Sequence, residues 1–189
     1  MIVPGRDETV CDVRPWFAAF RDLEGIDFDR QFGGLAFGAQ VARVAALIRG
    51  HDPAGTLLVG RSFGAWLLLH ALLGQASAFE GAVLLWAPVL GYGGAGGAGF
   101  MAPRARTFWT EIGAGRPMPA LRLILIAGHR DQQCPIKLAR DLAKWWPIEL
   151  HQYDAGHALD TWPLVDFHRM LRGQPAPKLG EIGPGTRGR

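Results

Sequence analysis

Cysteine is nearly absent from this chain: only Cys11 and Cys134 occur. Neither belongs to a C-x-x-C pair or to a cluster with metal-ligand spacing, so no structural metal is expected, and a disulfide between the two stays open as the alternative to free thiols. Free thiols in a reducing, cytoplasmic setting are the expectation. No charge of one sign dominates either. The formal net charge is +3, and beyond Arg172 the residues Lys178, Arg187 and Arg189 outweigh Glu181. Without that stretch the body carries about +1, too little for the electrostatic footprint of a nucleic-acid binder. Lysine is scarce, at 3 against 17 arginines, which reads as a coding bias. Long hydrophobic runs are missing: residues 65–73 form the longest, well short of the ~20 needed to span a bilayer. The opening Met1-Ile2-Val3-Pro4-Gly5 has no basic leader, so no signal peptide is expected. Serine is as rare as cysteine, present only as Ser62 and Ser77.

What is present is apolar substance, at 49% of the residues, enough for one domain over residues 1–172. Residues 173–189, rich in Pro, Gly and charge, are expected to be a disordered tail. Along the body, short apolar runs alternate with amphipathic ones. Strands are expected at 1–3, 26–29, 57–59, 81–86, 121–127 and 149–153. Helices are expected at 14–23, 36–48, 65–73, 103–112, 135–146 and 162–171. Strands that are apolar throughout, separated by amphipathic helices, predict a mostly parallel α/β sheet of about six strands with helices on both faces. Loops that carry chemistry then belong at the carboxyl ends of the strands.

One of the two serines stands at such an end. Gly60-Arg61-Ser62-Phe63-Gly64 follows the apolar run Leu57-Leu58-Val59 and precedes a helix, which is the context of the G-x-S-x-G nucleophile elbow. Its glycines allow close backbone approach in a sharp turn that exposes the Ser62 hydroxyl. A serine hydroxyl is a weak nucleophile and needs a base, and the base needs an orienting acid. Of six histidines, His157 alone follows the last expected strand, in the loop Tyr153-Asp154-Ala155-Gly156-His157. His51, His70, His129, His151 and His168 fall in other loops, a strand or helices. Asp131 ends the strand run 123–127 as Gly128-His129-Arg130-Asp131. Its rivals, Asp154 and Asp160, read as a turn residue and a helix cap.

Ser62, Asp131 and His157 thus occur in the order nucleophile, acid, histidine, each at a strand end. This resembles the α/β-hydrolase superfamily, whose triad runs in that order, over residues 1–171. The apolar-Pro-Gly opening is also similar to small serine hydrolases related to retinoblastoma-binding protein 9. The resemblance implies an oxyanion hole of two backbone N–H groups. Phe63, after the nucleophile, would supply one. The first strand-to-helix loop would supply the other, with Arg6 first and Asp7 next in line. Members often carry His-Gly there, where this chain has Pro4-Gly5. Arg61 stands where the family commonly has His, and it is open to an acidic substrate or a structural ion pair.

Gly91-Tyr92-Gly93-Gly94-Ala95-Gly96 matches a dinucleotide-binding fingerprint in letters, with Glu111 about twenty residues on. Pro88 and the continuing glycines deny it a helix start, so no cofactor is expected. The stretch reads instead as the approach to a short cap, about residues 91–119. Phe108 and Trp109 in that cap, and Trp16 earlier, are candidates to line an acyl pocket; core packing is the competing reading for all three. The sequence therefore predicts an esterase or thioesterase working on a small acyl substrate, without metal or cofactor. The alternatives are acyl transfer or peptide hydrolysis by the same triad, and a silent hydrolase fold used for binding.

Overall fold

The structure is a computed structural model that describes residues 1–6, 8–17, 22–91 and 101–157. Five strands lie in the described residues: β1 (Ile2–Val3), β2 (Leu57–Arg61), β3 (Phe79–Trp86), β4 (Ala120–Gly128) and β5 (Glu149–Tyr153). They pair in sequence order, every pair parallel. Six helices accompany them: α1 (Val10–Val13), α2 (Phe28–Phe32), α3 (Phe37–Ile48), α4 (Phe63–Leu73), α5 (Ala105–Gly113) and α6 (Ile136–Trp145).

The central strands are apolar on both faces because both are covered. In β2, β3 and β4 the residues Leu58, Val83, Leu85, Leu123 and Leu125 point into one cluster, together with Val44 of α3, Phe108 of α5 and Leu142 of α6. Their neighbours Val59, Leu84, Trp86, Ile124 and Ile126 point into a second cluster with Val13 and Phe17. The alternation follows the two-residue period of a strand. Helix α4 is wedged inside the first cluster, with Ala65, Trp66, Leu67, Leu68 and Leu69 all fully buried. That is why its sequence is apolar all round.

Two expected elements differ. Where the helix expected at 14–23 should start, the single turn α1 passes into a 3-10 turn at Arg14–Phe17; residues 18–21 of that expectation lie outside the described residues. Asp12 Oδ2 accepts both the Thr9 N–H and the Thr9 hydroxyl at 2.8 Å, a capping interaction that fixes the start at Thr9. Pro15 has no N–H to continue an α-helical ladder. The strand expected at 26–29 is reduced to a single parallel bridge between Ile2 and Gly25, with Ile26 N–H donating to Ile2 O at 3.1 Å. Helix α2 then starts at once, because Phe28 and Phe32 are four apart and their rings stack edge-on at 5.2 Å. The sheet therefore has five strands among the described residues. The glycines after Gly91, the helix expected at 162–171 and the tail from 173 lie outside the described residues.

Candidate active site at the carboxyl edge of the sheet

Ser62 follows β2 at the turn into α4, with φ 52° and ψ −121°. A non-glycine residue rarely holds a positive φ, and here the surroundings enforce it. Ser62 N–H donates to Trp86 O at 2.9 Å, and Val89 N–H donates to Ser62 O at 3.2 Å. The end of β3 thus grips both sides of the serine peptide. Gly64 is needed because a Cβ there would lie 2.1 Å from Pro4 O and 2.3 Å from Val3 O. The elbow packs directly on the end of β1.

Asp131 follows β4 in a turn closed around its own carboxylate. Oδ1 accepts N–H bonds from Gln133 and Cys134, both at 2.8 Å. Oδ2 accepts from His157 Nδ1 at 2.9 Å. The side chain is wholly buried, at 0% exposure. With an acceptor at Nδ1, the imidazole carries its proton there and leaves Nε2 as the acceptor. Nε2 lies 2.9 Å from Ser62 Oγ. The hydroxyl, the imidazole and the carboxylate form one line of hydrogen bonds. Such a line can move a proton from Oγ to Nε2 as the oxygen attacks.

The loop after β5 is laced to the loop after β4. His129 N–H donates to Tyr153 O at 2.7 Å and Arg130 N–H to Ala155 O at 3.0 Å. Arg130 also pairs with Asp154 at 3.0 Å on the surface, so the rival acid Asp154 is engaged there while His157 Nδ1 meets Asp131. Asp160 and His168 lie outside the described residues. His51 meets Glu24 at 3.1 Å and His151 meets Glu149 at 2.9 Å. His129 is exposed.

His70 is packed against the rings of Trp66 (4.4 Å), Phe37 (5.2 Å) and Phe108 (5.8 Å). Burial, helped by the positive charges of Arg104 and Arg116 against the opposing Glu111, holds its pKa down to about 4. Cys134, directly behind Asp131, is fully buried, and burial pushes its thiol well up.

A cavity of about 380 Å³ opens over Ser62, lined by Arg6, Glu8, Phe63, Val89, Gln133 and His157. Phe63 is the first residue of α4, where first-turn N–H groups have no acceptor within the helix. The Arg6 guanidinium lies 4.2 Å from the centre of the Phe63 ring. Asp7 lies outside the described residues. The three aromatics expected to line a pocket are elsewhere. Phe108 is buried against Trp66 at 4.9 Å and Trp146 at 6.2 Å. Trp109 Nε1–H donates to Leu90 O at 2.7 Å. Trp16 stands edge-on to Trp86 at 5.1 Å, in the cluster on the other face of the sheet. The competing packing reading describes all three.

Glu8, Val89 and Gln133 are lining residues that the sequence did not single out. Gln133 was within reach, two positions after Asp131 in the same turn. Arg61 makes an ion pair with Glu8. Among the described residues no group of three or more His, Cys, Asp and Glu is arranged to hold a metal ion, and no helix is long and apolar enough to cross a membrane.

A parallel sheet with a serine elbow after one strand, an aspartate after a later one and a histidine after the last is the α/β-hydrolase fold, and this chain has it. No family model and no curated protein matches the sequence. Solved structures do match. A monoacylglycerol lipase from Paleococcus ferrophilus superposes with a TM-score of 0.64 at 12% identity, covering 90% of each chain. The α/β hydrolase domain-containing protein 10 from mouse gives 0.60 at 12% identity, over 91% of this chain and 86% of the other. A protein described as a YdeN-like hydrolase from Pectobacterium atrosepticum gives 0.57 at 21% identity, over 82% and 77%. At these identities the likeness is one of fold, and these three proteins are a lipase, an α/β hydrolase domain-containing protein and a hydrolase by name.

Proposed function

We propose that the protein is a serine hydrolase that cleaves a carboxylic ester or thioester through an acyl-enzyme. Ser62 Oγ attacks the carbonyl carbon while His157 Nε2 takes its proton. Asp131 holds the imidazole in the productive tautomer and stabilises the imidazolium. The backbone N–H groups of Phe63 and Arg6 receive the oxyanion of the tetrahedral intermediate. His157 then gives its proton to the departing alkoxide or thiolate, which leaves Ser62 acylated. Water, deprotonated by His157, attacks the acyl carbon and releases the acid.

The observation that carries this reading is the unbroken pair of 2.9 Å contacts from Ser62 Oγ to His157 Nε2 and from Nδ1 to Asp131 Oδ2. Hydrogen-bond geometry this complete is what nucleophile activation requires. The lining supports a small acyl group, since only Phe63 and Val89 among the described lining residues are apolar. The test is covalent labelling by a fluorophosphonate, read by intact mass. A single adduct on the wild type that is absent from Ser62→Ala is the expected result. A folded wild type that takes no label and turns over no short acyl ester or thioester would sink the proposal.

A further inference from the structure

The loop that follows β1 starts buried, at Pro4 and Gly5, and reaches the surface at Arg6. Pro4 fixes one φ angle, but Gly5 is the least restrained residue a chain can have. Yet this loop must hold a backbone N–H at a fixed point beside Ser62 if it is to receive an oxyanion. A Cβ added to Gly5 would meet Ser62 Cβ at 3.1 Å, so loop and nucleophile are already in contact.

One side chain adds a restraint across this loop. Glu8 Oε2 accepts the Gly5 N–H at 2.9 Å, and its Oε1 accepts from Arg61 Nη1. Arg61 is the residue just before the nucleophile, and its guanidinium lies 5.1 Å from the centre of the Trp86 ring. Trp86 O in turn accepts the Ser62 N–H. Both partners are mostly shielded, with side chains 23% and 15% exposed. Glu8 therefore joins the β1 loop to the elbow and, through Arg61, to the end of β3.

The geometry points to Glu8 as a positioning residue for the oxyanion loop, with Arg61 as the charge that makes a carboxylate tolerable there; this rests on the hydrolase reading above. Two physical effects are involved. The bond to Oε2 fixes the orientation of the Gly5 amide. Because Glu8 lies three residues on, the same bond closes a ring from Gly5 to Glu8, which narrows the range open to the peptide plane that carries the Arg6 N–H. It also consumes the Gly5 N–H, which is therefore not the second oxyanion donor. The other effect is electrostatic. Glu8 lines the same cavity as Ser62, and an unpaired carboxylate near a developing oxyanion opposes the reaction. The Arg61 guanidinium, pre-organised and always charged, cancels that field.

The two roles give a pattern that a merely structural ion pair does not. With 4-nitrophenyl acetate, Glu8→Ala is expected to lower kcat about 10- to 100-fold while KM stays within about twofold, as for a misplaced oxyanion donor. Glu8→Gln, whose amide oxygen can still accept the Gly5 N–H, loses less. Arg61→Gln leaves the Glu8 carboxylate unpaired and loses more than Glu8→Gln. The double variant Glu8→Gln/Arg61→Gln is then faster than Arg61→Gln alone. Melting temperatures measured in parallel identify any variant that has failed to fold. A folded Glu8→Ala enzyme with wild-type kcat overturns the proposal, as does a double variant no faster than Arg61→Gln. Hydrogen exchange at the Gly5 amide gives a readout without turnover: protected in the wild type and in Glu8→Gln, exchanging at least tenfold faster in Glu8→Ala. Unchanged exchange overturns the clamp. A wild type without turnover but with that protection overturns the hydrolase reading and leaves the clamp standing.

Discussion

At Asp131 one atom faces each of two tasks. Oδ1 closes the turn by accepting two backbone N–H bonds, and Oδ2 faces His157. Asn at this position can keep the turn through its own oxygen while presenting an NH2 group to Nδ1. The ring would then hold its proton on Nε2 and could not accept from Ser62. Asp131→Asn is therefore expected to cut kcat about 10⁴-fold, as in the serine-protease precedent, with a melting temperature within a few degrees of wild type. His70 makes a different point. Its pKa is held down to about 4 in the fold against an ordinary value of 6.5, so between these values the unfolded chain binds a proton that the native protein does not. Stability is complete above pH 6.5 and declines as the pH falls toward 4, by about 2–3 kcal/mol from this group. Urea titrations at pH 7 and pH 4.5 should give a smaller pH difference for His70→Leu than for the wild type.

The elements tell the same story at greater length. The elbow is held by backbone contact between α4 and the end of β1, so Gly64→Ala must push Pro4 and Val3 away from the nucleophile. We expect a loss of about 1–3 kcal/mol from overpacking together with loss of fluorophosphonate labelling, read by calorimetry and mass. In α5, Trp109 supports the molecule rather than the cavity. Trp109→Ala should cost roughly 2–4 kcal/mol and leave turnover of short esters within twofold. The sequence made β4, β5, α3 and α6 legible because each is an apolar or amphipathic run with a single period. It misjudged residues 14–17 and 26–29, where Pro15 and the Phe28/Phe32 pair overrode a stripe of aromatics and a short apolar run. Contact partners were less legible still. Phe108, Trp109 and Trp16 have the composition of a pocket lining, and only three-dimensional packing reveals which way they face.

For the whole molecule, the legible part was the meeting of three strand ends. A parallel sheet with both faces covered has one edge at which β2, β4 and β5 deliver Ser62, Asp131 and His157, whatever the length of the helices between them. What sequence alone could not give was the pair between Glu8 and Arg61, since 53 positions separate the two and no local pattern links an acid in one loop to a base in another. The same global view bears on substrate size. The described lining offers Phe63 and Val89 as apolar wall, and each further methylene adds about 0.8 kcal/mol only where apolar surface receives it. Activity on 4-nitrophenyl esters is expected to peak at two to four acyl carbons and to fall by eight.

Cys134 lends the fold a built-in clock. Its amide helps to hold the Asp131 carboxylate, and its thiol is sealed from solvent, whereas Cys11 is exposed. A thiol reagent should consume Cys11 at once and wait for Cys134. That delay measures how often the fold around Cys134 opens, and an opening that frees the Cys134 amide also breaks its bond to Asp131 Oδ1. The lifetime of the assembled acid–base relay can thus be timed on the resting protein, by the slow phase of an ordinary thiol assay, with no substrate in hand.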